Sequence, residues 1–226
     1  MREKSSDDTA DAYRIVINAI VTQKLAPSQK VSENIISEMF GISRAISRNL
    51  IERLIAKQFL VSISPRVTQV APLTLLEIKQ NFVLRKMLLP EIISLAAAKT
   101  DFDAVQQINE GIQKLLPVEN DEAALEFLQH NKQLNLLLCE RAGYPLMLDW
   151  VNQLEDTAMR IYWLYVKTNK SFPYSADQQT ATYAVIKSEE PARIKKVIFD
   201  MITQTEERVM TTVFSQPQFY TQDLKI

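Results

Sequence analysis

Arg44, Ser47 and Arg48 stand at i, i+3 and i+4, the spacing that gathers side chains on one face of a helix. An apolar stripe of Ile46, Leu50 and Leu54 lies roughly opposite. Two guanidinium forks so placed suit guanine edges or phosphates, both of which arginine grips bidentately. Elsewhere the reactive chemistry is sparse. The lone histidine, His130, and the lone cysteine, Cys139, stand apart with no supporting motif, so no nucleophile–base pair is read. They read as a surface imidazole and a buried thiol. Only three glycines occur, Gly41, Gly111 and Gly143, too few for a glycine-rich phosphate loop. The expectation is a protein that is not an enzyme and needs no cofactor.

The elements around the arginines give them a context. Tyr13, Val16, Ile17 and Ile20 make an amphipathic first helix. Leu25-Ala26-Pro27-Ser28 ends it. Ser32 can cap a second short helix carrying Ile36, Met39 and Phe40, and Gly41 follows, where a tight turn needs positive φ. Ser43 can cap a third helix to about Lys57. Two helices meeting through a glycine turn, the second polar at its start, form a helix-turn-helix pattern. Its recognition helix would present Ser43, Arg44, Ser47 and Arg48 to the major groove. Two β-leaning runs, 59–63 and 67–70, then flank Ser64-Pro65-Arg66. They predict a two-stranded wing, with Arg66 at its tip and Thr68 beside it as further DNA contacts.

From Pro72 onward the pattern is helical. Six helices are expected, over about 74–99 (with Pro90 as a kink), 101–116, 121–142, 145–167, 176–188 and 191–214, joined by short loops. The fold class is therefore mostly α: an N-terminal winged helix-turn-helix followed by an all-α six-helix bundle. The expected organisation is a disordered arm over 1–10, the DNA-binding domain over 11–72, the helical domain over 73–214 and a loose tail over 215–226. Charge divides along the same line. Residues 1–72 carry a net of +3 and residues 73–226 a net of −4, a mild asymmetry of the kind DNA binding favours. No apolar run spans a bilayer and the N-terminus has no secretory core, so the expected location is cytoplasmic, with no membrane partner.

The stretch Leu25-Ala26-Pro27-Ser28-Gln29-Lys30-Val31-Ser32-Glu33, then Met39-Phe40-Gly41-Ile42-Ser43-Arg44-Ala45-Ile46-Ser47-Arg48, then Leu54-Ile55-Ala56-Lys57-Gln58-Phe59-Leu60-Val61 resembles the GntR family of bacterial regulators. That family's pattern runs approximately L-x-P-G-x-x-L-x-E, L-G-V-S-R-x-x-V-R and L-x-x-x-G-L-V. The resemblance implies base and phosphate contacts for Arg44 and Arg48. Asn34 stands where the family often has another DNA-contacting arginine. Ser28 and Gln58 replace usual glycines, and Val67 replaces the usual glycine of the wing tip.

The second half resembles the FCD effector domain of the FadR subgroup, in its shorter, VanR-like form. Leu84-Arg85-Lys86-Met87-Leu88-Leu89-Pro90 matches the opening helix. Asn131-Lys132-Gln133-Leu134-Asn135 with Ala142-Gly143-Tyr144-Pro145 matches the D-x-x-F-H…S-G-N-P segment. Many such domains hold a divalent metal through one Asp and three His. Here those positions read Asn131, Asn135, Gln179 and Met201, and His130 is one residue off the ligand face. Amides and a thioether are poor ligands for zinc, nickel or manganese, so no metal site is expected. The resemblance implies instead an effector pocket of Arg85, Asn131, Asn135, Gln179 and Met201, with Arg85 facing a carboxylate. The alternative is that Arg85 pairs with a nearby acid and the amides with one another. Tyr162, Trp163 and Tyr165 read as core or dimer packing. The family implies a homodimer on a palindromic operator, controlled by a small organic acid and acting as a repressor. The competing reading is a helical metabolite binder whose DNA-binding half has degenerated.

Overall fold

The computed structural model describes residues 2–188 and 190–215. It divides into two compact units, Met1–Leu73 and Thr74–Ile226.

The first unit runs α1 (Arg2–Val21), β1 (Lys30–Val31), α2 (Glu33–Phe40), α3 (Arg44–Ala56), β2 (Leu60–Ser64) and β3 (Val67–Val70). Its core joins Val16, Ile17 and Ile20 of α1 to Ile36, Leu50, Leu54, Phe59 and Val70, all buried. α1 includes residues 2–10, where the sequence suggested a disordered arm. No glycine or proline interrupts residues 2–21, so a helix anchored by its buried stripe extends backwards at little cost per residue.

Local polar bonds set the helix ends. The Ser32 hydroxyl accepts from the Ile35 amide at 3.3 Å, and Gly41 turns at φ 66°. The Ser43 hydroxyl accepts from the Ile46 amide at 3.2 Å. α3 ends as Phe59 N–H reaches Leu54 C=O at 2.9 Å, with Gln58 at φ 63° in the left-handed position that glycine usually fills. The wing hairpin pairs Leu60 with Val70 and Ser62 with Thr68. The two-residue β1 adds a third strand against β3, giving the order β1-β3-β2. So short a strand leaves no periodicity to read in sequence.

The second unit holds six α-helices among the described residues: α4 (Leu75–Ala96), α5 (Phe102–Lys114), α6 (Asp121–Glu140), α7 (Pro145–Asn169), α8 (Ala176–Ser188) and α9 (Pro191–Phe214). A 3-10 turn, Ala97–Lys99, extends α4. Thr74 and Glu77 form a reciprocal capping box on α4, with bonds of 3.1 and 2.7 Å. Asp101 and Asn120 cap α5 and α6. Prolines stand at the first turns of α7 and α9, where the missing N–H loses nothing. α4 continues unbroken through Pro90. It packs between α9 and α7, and α6 packs on α5 and α7. Phe82, Ile92, Phe127, Leu128, Val151 and Val209 fill the centre. Tyr162 and Trp163 are buried in that core, while Tyr165 is half-buried. No described helix is long and apolar enough to cross a membrane. Of the expected tail, residues 216–226 lie outside the described residues.

Candidate functional site

In the first unit, Arg44 opens α3 and is exposed, as are Asn34, Ser43, Arg48 and Arg66. Thr68 is half-buried on the central strand of the wing. Ser47 corrects the sequence reading. It is fully buried, and its hydroxyl donates back to Ser43 C=O at 3.1 Å, so it presents nothing to DNA. Ile46, expected in the buried stripe, is only half-buried. The reason is helical drift. Seven residues return a helix to within about 20° of the same face, whereas eight overshoot by about 80°. The stripe ending at Leu54 therefore starts at Ser47, not Ile46.

Arg48 is not a loose cation. Its Nε donates to Glu33 Oε1 at 2.7 Å and its Nη2 to Glu33 Oε2 at 3.2 Å. This hydrogen-bonded pair holds the Glu33 carboxyl below its ordinary range, and Glu33 in turn raises the Arg48 guanidinium. Sequence reasoning missed Glu33, because fifteen residues separate it from Arg48 and no periodicity links them.

In the second unit, all five residues expected to form a pocket line a single cavity: Arg85 from α4, Asn131 and Asn135 from α6, Gln179 from α8, and Met201 from α9. Tyr162, Tyr174, Thr182, Tyr183 and Thr205 complete its polar wall. Asn131 Oδ1 accepts from the Tyr174 hydroxyl at 2.6 Å. Asn135 Nδ2 donates to Glu155 Oε2 at 3.0 Å. Burial pushes the Tyr162, Tyr174 and Tyr183 hydroxyls up, Tyr174 well above the ordinary value. They remain neutral donors across the physiological range. His130 takes no part in the lining; its Nδ1 lies 3.1 Å from Glu126 C=O on its own helix. Cys139 is buried, and that burial pushes its thiol up.

Arg85 already has an acid beside it. Its Nη1 lies 3.1 Å from Glu155 Oε1, with both side chains almost wholly buried. Burial presses the guanidinium down, but Glu155 and the surrounding tyrosines outweigh that and hold it above its ordinary value. The contact is ionic without hydrogen-bond alignment. Arg85 Nε and Nη1 and Glu155 Oε1 have no hydrogen-bond partner. Glu155, which completes this charge pair, sits mid-way along α7 among Val151, Ala158 and Met159, all buried. An acid at a core position of an apolar stripe was the sequence signal for it.

A divalent metal does not fit this cavity. The positions that would ligate it carry amides and a thioether. The Asn131 oxygen accepts from Tyr174, and the Asn135 amide nitrogen faces an acid. No cluster of three His, Cys, Asp or Glu side chains able to hold a metal exists among the described residues. The cavity measures about 30 Å³, room for two or three waters at roughly 10–15 Å³ each.

A model of the FCD domain matches residues 80–204, which covers every residue lining this cavity except Thr205. The chain belongs to the FCD-domain family. Its fold over almost the whole length is shared with solved GntR-type regulators. Escherichia coli McbR/YncC superposes with a TM-score of 0.69 at 16 % identity, covering 92 % of this chain and 97 % of that one. A putative GntR transcriptional regulator from Rhodococcus sp. RHA1 gives 0.69 at 13 % identity, covering 91 % and 98 %. A GntR family regulator from Pseudomonas syringae pv. tomato gives 0.52 at 18 % identity, covering 96 % and 100 %. No curated protein matches the chain.

Proposed function

We propose that this FCD-family protein is a sequence-specific DNA-binding repressor, a homodimer on a palindromic operator, whose helical unit responds to a small organic acid. The observation that carries the reading is α3. It is capped by Ser43 behind the left-handed Gly41, it exposes Arg44 in its first turn, and the wing hairpin of β2 and β3 follows it. A helix N-terminus with an exposed arginine suits the phosphates and base edges of a major groove. The exposed apolar side chains of α4, Leu76, Val83, Leu84, Met87 and Leu95, favour pairing with a second copy, since such a stripe is costly in water. The chain's charge division, +3 over residues 1–72 and −4 over residues 73–226, favours the first unit as the DNA-facing one.

An organic acid would share Arg85 with Glu155, reaching Nε and Nη1, neither of which has a hydrogen-bond partner. The water-sized cavity would have to widen to admit it, and α8, which supplies Gln179, Thr182 and Tyr183, is the wall to move. Ligand binding would then select between two arrangements of the bundle, which is how an effector regulates. Fluorescence anisotropy against a duplex selected from a randomised pool tests the DNA reading. Arg44→Ala should weaken binding by at least tenfold, whereas Ser47→Ala, a buried site, should leave it within about twofold. An Arg44→Ala protein that binds like wild type would remove the recognition-helix assignment.

A further inference from the structure

We infer that Glu33 is a positioning residue that aims Arg48 at base edges and thereby sets sequence selectivity; this rests on the DNA-binding reading above. Glu33 is the first residue of α2 and Arg48 lies in the second turn of α3. The carboxylate therefore bridges the two helices of the helix-turn-helix. It holds the guanidinium side-on, through Nε at 2.7 Å and Nη2 at 3.2 Å. Arginine has five N–H donors. This grip uses two and leaves the outer edge, both Nη1 hydrogens and the second Nη2 hydrogen. That edge is the parallel fork that matches O6 and N7 of guanine.

The pair has little to do for the fold. Both side chains reach solvent, at 65 % and 35 % exposure, and pairs of that kind contribute little to stability. α2 already has the Ser32 cap and the Gly41 turn. Against DNA, a carboxylate is repelled by phosphates, so Glu33 weakens sequence-independent binding. What it supplies is restraint. A flexible arginine swings to whichever phosphate is near, whereas one clamped at Nε keeps its plane and its fork fixed. Among the described residues Arg44 has no such carboxylate clamp, although it adds to the positive field on Glu33. Arg48 is therefore the arginine of α3 whose direction is fixed before it meets a base.

The test uses the full chain and a randomised-sequence duplex library. Wild type enriches a duplex, and affinities are then compared for that duplex and a scrambled one. Glu33→Gln keeps the size of the side chain and removes its charge. The expected result is about tenfold weaker binding to the enriched duplex, the scale of one lost bidentate contact, with scrambled binding unchanged or stronger. In an Arg48→Ala background, Glu33→Gln should leave the ratio of the two affinities unmoved, a double-mutant cycle that a merely structural role would not produce. Glu33→Asp, too short to span the gap, should reproduce the loss and serves if the Gln variant does not fold. An unchanged ratio in Glu33→Gln, or an effect that persists without Arg48, overturns this inference while the DNA-binding reading stands. A wild-type protein that enriches no sequence overturns both.

Discussion

At the scale of single residues, two of the four described non-glycine positions with left-handed φ stand where the GntR pattern has glycine. Ser28 and Gln58 both hold left-handed φ, 64° and 63°, where a Cβ crowds the neighbouring carbonyl at about 1–2 kcal/mol. The turns persist because other bonds over-determine them. Ser28 N–H reaches Val70 C=O at 2.9 Å, and Gln58 N–H reaches Ile55 C=O at 3.0 Å. The two glycines that the GntR pattern carries at these positions would relieve the strain, at the price of greater freedom in the unfolded chain. The first effect is the larger. Gln58→Gly should raise stability by about 1 kcal/mol, read as a higher urea midpoint with an unchanged slope. Destabilisation by that substitution would mean that the Gln58 side chain makes a contact worth more than its strain. A φ angle is not a chemical property of a side chain. Only the family's glycines at these two positions signalled it.

At the scale of elements, legibility followed the kind of force that defines each one. The helices of both units were readable because apolar periodicity and capping residues act over a few positions: Ser32 and Ser43 cap where the sequence said they would. β1 was not readable, since two residues carry no period and its pairing with β3 is non-local. Within α3 the stripe was misplaced by one residue, because a serine that bonds its own helix backbone can occupy a core position that a pattern of apolar letters skips. The cavity's five family-derived residues do converge, since helix faces brought them together. The charge balance between α4 and α7 was legible only as an alternative, because pairing depends on which acid a neighbouring helix presents. That pair has a measurable consequence. Removing one member strands a charge in the bundle, so Arg85→Met or Glu155→Leu alone should cost about 3–5 kcal/mol, whereas the double substitution should recover most of it. Chemical denaturation of the four proteins reads the coupling. Additive single losses would show that Arg85 and Glu155 are neighbours without being partners.

At the scale of the whole molecule, the near-neutral total of −1 conceals a division into +3 before residue 73 and −4 after it. On the proposed reading, a protein so balanced would bind DNA through local cations and not through its overall field. Each phosphate neutralised releases counterions, so log K falls with log salt at about 0.9 per contact. This makes the salt slope a counter of contacts, and a single substitution makes it a counter of copies. Arg66 stands exposed in the wing turn, outside the recognition helix, so its removal should weaken enriched and scrambled duplexes alike. If one protomer binds, Arg66→Ala reduces the slope by about 1; if a homodimer sits on a palindrome, both wings lose a contact and the reduction is about 2. The exposed stripe of α4 makes the larger value the expected one. Binding titrations from low to moderate salt, run on wild type and variant with the same duplex, separate these outcomes. A slope that does not change at all would take the wing off the DNA and leave α3 to bind alone.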